Sequence, residues 1–232
     1  MGAPQIAIVN RSKLPDDELA FAAKACDAQV QECAAVWGVP PTVVAFYSAD
    51  AALPQSQCRI LAVVDDLDEP GALGFHDDAA GIVYARVLNQ SRDTSITISH
   101  ECLEEMIDPT CDQWRDMGDG RSTALEVCDA VEGDSYTITV EILGEVRKIF
   151  VSNYLRPAWF DPDGAGDLDR MGKLTAPFTM TPGGYMIVRD QLGNESDVFA
   201  HRIVAGSAGG RLAMAARLAN PDSRLLRRLR VK

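Results

Sequence analysis

The segment Ser99-His100-Glu101-Cys102-Leu103-Glu104-Glu105-Met106-Ile107-Asp108-Pro109 puts one imidazole and four carboxylates into nine residues. Wound as a helix at about 100° per residue, His100, Glu104, Asp108, Glu101 and Glu105 fall within about 140° of one another. Cys102, Leu103, Met106 and Ile107 share the other side. Ligating side chains at i and i+4 on one helix can converge on a single Zn²⁺, and His100 and Glu104 have that spacing. Glu101, one residue after His100, projects beside such an ion and can take a proton from water held there. The pattern is that of HExxH with the second His exchanged for Glu. A carboxylate ligand lowers the positive charge of the site, so bound water is acidified less. The competing expectation is a plain solvated face, because acids on an amphipathic helix usually serve only that purpose.

A third ligand has to come from elsewhere. Glu126, in Leu125-Glu126-Val127-Cys128-Asp129, lies 22 residues after Glu104 in a short segment, apolar at alternate positions, that would pack near the helix. Asp129 is a rival, or a carboxylate that orients His100. His76, in Gly74-Phe75-His76-Asp77-Asp78, is the other candidate in a chain with three histidines. Asp108, at the step before Pro109, is a further acid near the helix end. Tyr136 and Tyr154 are the candidates for stabilising an oxyanion.

The elements that must hold these residues are legible in outline. Asp93 can cap a helix over about 94–107, and Pro109 bars its extension. Residues 4–9 read as an apolar strand. Pro15-Asp16-Asp17-Glu18 opens a long helix with acids in its first turn, and Gly38-Val39-Pro40-Pro41 stops it. Residues 42–47 and 58–64 read as strands, the second apolar enough to lie inside a sheet. Residues 81–88 (GIVYARVL) alternate and are expected to form an edge strand. Residues 136–143 and 146–154 read as a hairpin around Gly144-Glu145. The fold class is α+β, with strands before and after one central helix. Three regions follow: a core over 1–156, a Gly/Pro-rich β extension over 157–206, and a basic helical tail over 207–232.

Composition narrows the classes. The chain has 232 residues, 47% hydrophobic and 24% charged, ordinary for a globular protein and sufficient for a packed core. No apolar run reaches the roughly 20 residues needed to span a bilayer, and the N-terminus lacks the pattern of a signal peptide. Residues 200–232 carry eight basic side chains against one acid, net +7, which leaves −19 on residues 1–199 of the chain's −12. An acidic body disfavours nucleic acid, whose phosphates need clustered cations. The tail suits docking on an acidic surface, including another copy of the same body. Six cysteines occur without CxxC spacing; Cys26 and Cys33 read as buried thiols, and Cys111 and Cys128 are the pair that a disulfide would join outside a reducing compartment. EF-hand, phosphate-loop, dinucleotide and nucleophile-elbow patterns are missing from the sequence.

The combination SHExxExxxDP, followed by E-V-C-D-x-V-E-x-D-x-Y from Glu126 to Tyr136, resembles the zinc metallopeptidase-like proteins encoded by tailed bacteriophages and prophages. The stretches from Asn153 to Pro162 and from Lys173 to Tyr185 are similar to the same group, so the resemblance covers about residues 60–190. It implies a minimal zincin-like core: a small twisted mixed sheet, an edge strand lining a cleft, and an active-site helix beneath. It further implies Zn²⁺ on His100 and Glu104, with Glu126 third, and Glu101 as general base. Asp108 matches the acid of the DP step. The substrate would be a peptide or protein, and the place of action the host cytoplasm during phage assembly or the virion. The alternative is an inactive virion or assembly protein on the same scaffold, docking on other virion proteins through its basic tail, which also suits self-association.

Overall fold

A computed structural model describes residues 5–48, 53, 58–67, 73–79, 82–90 and 93–200. The tail over 207–232, and with it the expected terminal helices, lies outside the described residues. The chain is mixed α and β. Strand β1 (Gln5–Arg11) leads into helix α1 (Asp16–Trp37), then β2 (Val43–Tyr47), β3 (Cys58–Val64), β4 (Gly74–Ala79), β5 (Ile82–Leu88) and helix α2 (Thr94–Ile107). Strands β1 to β5 form one sheet in the order β2-β1-β3-β5-β4. Its pairs are parallel except β4 with β5, which is antiparallel.

Local chemistry explains these elements. Ile6, Ala7, Ile8 and Val9 are all buried, as expected for a central strand covered on both faces. The Asn10 side chain accepts the Ser12 N–H and donates to Leu14 O and Asp16 Oδ1, turning the chain into α1. Asp16, Asp17 and Glu18 complement the positive helix start, and Gly38 ends it at φ 65° with its N–H on Ala34 O. Leu19, Ala22, Cys26, Val30 and Cys33 of α1 share one core with Ile98, Cys102, Leu103 and Met106 of α2.

The edge strand is not the one expected. β5 lies inside the sheet between β3 and β4, with Ala85 and Val87 buried, and β4 is the edge. The physical reason is composition: Gly74-Phe-His-Asp-Asp-Ala79 has no β-branched residue, so nothing in it signals a strand. A charged strand is nevertheless what an unpaired edge tolerates.

Beyond α2 come β6 (Trp114–Asp116), β7 (Ser122–Ala124), the hairpin β8 (Ser135–Ile142) and β9 (Glu145–Ser152), then β10 (Tyr185–Arg189) and β11 (Glu195–Phe199). The hairpin turns at Leu143 (φ 50°) and Gly144 (φ 85°), two positive-φ residues that match strand twist. Its inner face packs Val140, Ile149 and Val151 on Phe21 and Ala25 of α1. Strands β11-β10-β7-β6 form a second, antiparallel sheet. Trp159, Phe160, Leu168 and Leu174 enter the same core as both helices. Among the described residues, no helix is long and apolar enough to cross a membrane.

Candidate metal centre

Helix α2 is fixed from several sides. Thr94 Oγ1 accepts the Gln90 N–H, and Ser99 Oγ accepts the Ser152 N–H of β9 at 2.6 Å while donating to Ile96 O. The apolar side of the helix meets α1 and the sheet, as its periodicity predicts. The acidic side is not solvated: Glu101 and Glu104 are each 3% exposed and Glu105 is fully buried. Burying three carboxylates on one helix is expensive unless each meets a partner or a cation, so the plain solvated face is excluded.

Opposite this side runs the segment after β7. The chain leaves the small sheet at Ala124, passes through Leu125–Cys128, and makes a 3-10 turn over Asp129–Val131. Backbone bonds hold it on both flanks: Leu125 N to Gln113 O, Leu155 N to Val127 O, and Thr181 N to Ala130 O. Gly184 allows the last approach, since a side chain there would run into Ala130 O. The supporting strap is itself tied by a buried knot. Asp169 accepts from Asn153 Nδ2 and from the N–H groups of Met171, Lys173 and Leu174. The motifs around Asn153 and Pro182-Gly183-Gly184 thus build the wall that presents residues 128 and 129.

Three donors converge there, and Asp129 stands beside one of them. Glu104 Oε1 accepts the Cys128 N–H at 3.2 Å, and Glu104 Oε2 faces His100 Nε2 at 3.2 Å. Asp129 Oδ1 is buried 3.3 Å from the same nitrogen, outside hydrogen-bond geometry. One ligand atom each from His100, Glu104 and Cys128 lies within 4.8 Å of the others, so this group could hold a metal ion. Charge-assisted N–H···O bonds are about 2.7–2.9 Å long; the spacings here are wider. Both are measured from one atom, His100 Nε2, so they place two carboxylates on the imidazole. His100 keeps 12% of its side chain exposed, and the carboxylates lie behind it. Burial opposes charge on His100, but Glu104, Cys128 and Asp129 outweigh it and hold the imidazole well above its usual pKa. Burial pushes the Cys128 thiol up, and His100 pulls the other way.

The expected site residues divide. His100 and Glu104 come together, and Asp129 reaches His100 Nε2 without joining the three-residue group. Glu126 is 8% exposed and falls outside the three-residue group, where Cys128 stands instead. Sequence reasoning missed Cys128, which it weighed only as a partner for Cys111 in a disulfide it left undecided. All six cysteines are free thiols. The available signal was the donor type itself: a thiol between two acids, in the segment already nominated for a ligand.

Glu101 lies against β4, where a Cβ at Gly74 would stand 2.6 Å from its Oε1. Asp108 turns away: its carboxylate accepts the Asp112 and Gln113 N–H groups and shapes the turn after α2. Glu105 faces β3, with Arg59 beside it; burial lowers the Arg59 pKa and Glu105 opposes that. His76 is on β4, and its side chain lies outside the described residues. The Tyr136 hydroxyl accepts from Gln29 and the Tyr154 hydroxyl donates to Glu32, both on α1.

Comparison with protein-family models, with curated proteins and with solved structures gives no match for this chain.

Proposed function

We propose that the chain is a zinc-dependent, peptidase-like hydrolase of the kind its motifs resemble, on a zincin-like core. The observation that carries this reading is the buried His100–Glu104 pair on α2, whose nitrogen stands 3.2 and 3.3 Å from two carboxylates. The donor set fits zinc: one imidazole, one carboxylate and one thiol, with a second carboxylate at the imidazole. A soft sulfur ligand argues against Mg²⁺ or Ca²⁺, which prefer oxygen throughout. His100, Glu104 and Cys128 would hold the ion, with Cys128 taking the place first given to Glu126 and Asp129 standing beside His100.

A bound zinc ion would supply Lewis acidity that activates water and polarises a carbonyl. The chain's own residues do the rest. Glu101 is the base: it takes the proton of the attacking water and returns it to the departing amine. Its position under β4 supports this role, because the edge strand is where an extended peptide would add by backbone pairing. The cleft-lining role thus moves from residues 82–88 to β4.

The alternative is a virion or assembly protein in which the ion serves stability. Its support is the burial of the donors and the thiol among them, since cysteine ligands are common in structural zinc sites.

The deciding measurement is elemental analysis of the purified chain and of His100→Ala. We expect about one zinc per chain, lost in the variant. Glu101→Gln should keep the zinc and lose hydrolysis of an unfolded protein substrate. A wild type free of metal after chelator-free purification sinks the reading; equal activity in Glu101→Gln removes Glu101 as the base, and a zinc-loaded wild type without hydrolysis leaves only the structural alternative.

A further inference from the structure

We propose that Asp129 holds the water of this site: its carboxylate stands beside the position that the three protein ligands leave, and it accepts a hydrogen bond from the neutral ligand there. The inference rests on the metal-site reading above. His100, Glu104 and Cys128 make up the donor group, and Asp129 stands outside it. Three protein ligands leave a tetrahedral zinc ion one position for an outside molecule.

Burial and hydrogen bonding select Asp129 for that role. Its side chain is 4% exposed, and Oδ1 is buried without a hydrogen-bond donor, 3.3 Å from His100 Nε2. A buried carboxylate oxygen needs a donor. The imidazole cannot be that donor once Nε2 is spent on an ion. A hydrogen-bearing ligand of the same ion meets the need, because Oδ1 lies beside the nitrogen that binds it. The backbone keeps the carboxylate in place. Asp129 opens a 3-10 turn in which the Val131 N–H is on Cys128 O and the Glu132 N–H is on Asp129 O. A Cβ at Gly184 would stand 3.1 Å from Asp129 O, so the glycine there lets the strap close on this turn. His100 keeps 12% of its side chain exposed, which gives water a way in on the imidazole side. In the proposed hydrolysis Asp129 orients one hydrogen of the water and leaves the other to Glu101. An anion has no hydrogen to offer and is repelled by the carboxylate, so the position selects neutral donors over anions.

The test uses the full chain loaded with Co²⁺ in place of zinc, with azide as the anionic probe, followed through the visible cobalt bands. Asp129→Asn should take up cobalt with the same near-ultraviolet thiolate-to-cobalt band as wild type. It should bind azide at least about tenfold tighter, since like charges close together in a partly buried site repel strongly. Asp129→Ala, which brings no N–H of its own, should shift azide binding in the same direction. Equal azide affinity in all three proteins overturns the proposal and leaves the metal site intact. So does a change of cobalt coordination in azide-free Asp129→Asn, which would make Asp129 a ligand. Folded variants that bind no cobalt would show that the carboxylate holds the ion, and variants that do not fold would make it structural; either result overturns the proposal. A wild type that takes up no cobalt removes the metal site and this role together.

Discussion

Gly74 on β4 and Glu101 on α2 approach so closely that a Cβ at position 74 would stand 2.6 Å from Glu101 Oε1 and 2.7 Å from Thr97 Cγ2. The missing side chain is what lets the edge strand pass over the acid of the HExxE motif. Gly74→Ala has to displace the strand or the carboxylate, an overpacking that costs about 1–3 kcal/mol. We expect a lowered thermal midpoint and lost hydrolysis with unchanged metal content, because position 74 is close to Glu101 and not to the ligands. A variant as stable and active as wild type would show that the contact yields freely.

Removing the ion should destabilise the fold as well as the chemistry. A ligand that binds only the native state at a thousand times its dissociation constant adds about 4 kcal/mol. Without it, Glu104 and Asp129 face a single imidazole in a buried site. A chelator should therefore lower the melting temperature of wild type and leave that of His100→Ala, already without the ion, unmoved. Equal shifts in both proteins would place the chelator's effect elsewhere.

The parts of the site that were legible in the sequence are those written into one helix. Pro109 and the 3.6-residue period define α2, and His100 and Glu104 follow from i to i+4 spacing; Asp93 stands at the N-cap position as expected but makes no side-chain capping hydrogen bond. Cys128 was not legible as a donor, and Asp129 only as a rival to Glu126, because a loop has no period to say which residue of Glu126-Val-Cys-Asp points inward. That choice is made by distant bonds, Leu155 N to Val127 O and Thr181 N to Ala130 O, which no local pattern encodes. The edge strand was misplaced for a related reason. Alternation in 82–88 comes from Ala85 and Val87 being buried while Tyr84 and Arg86 are half-buried, a pattern that an interior strand can share with an edge.

Asp169 carries the strap that backs the site. Its carboxylate accepts from Asn153 Nδ2 at 2.9 Å and from the Met171, Lys173 and Leu174 N–H groups at 2.9, 2.8 and 2.7 Å. Asp169→Ala would orphan buried donors, each worth about 1–3 kcal/mol, so a loss of about 3–5 kcal/mol is expected in denaturant unfolding. Asn153→Ala should be costly too, because Asn153 Oδ1 accepts the Tyr154 and Met171 N–H groups. The double variant should fall short of the sum, since both residues serve one network. Strict additivity would mean that the two act independently.

Alkaline pH should weaken the fold through its buried phenols. Burial pushes Tyr136 up to about 12; the Gln29 hydrogen bond opposes this, Glu32 reinforces it and Arg170 opposes it. Burial raises Tyr154 as well, with Cys33 and Glu32 adding to it. For an acid whose pKa is higher in the folded chain than in the unfolded one, the unfolded chain ionises first. The stabilisation is then complete below the unfolded value near 10 and is lost as pH rises through the folded value. The denaturant midpoint of wild type should hold up to about pH 10 and fall between about 10 and 12, with phenolate absorbance appearing as the chain unfolds. Tyr136→Phe should show a shallower fall over the same interval, because one of the two phenols no longer titrates. An identical slope in both proteins would place the alkaline transition on groups other than Tyr136.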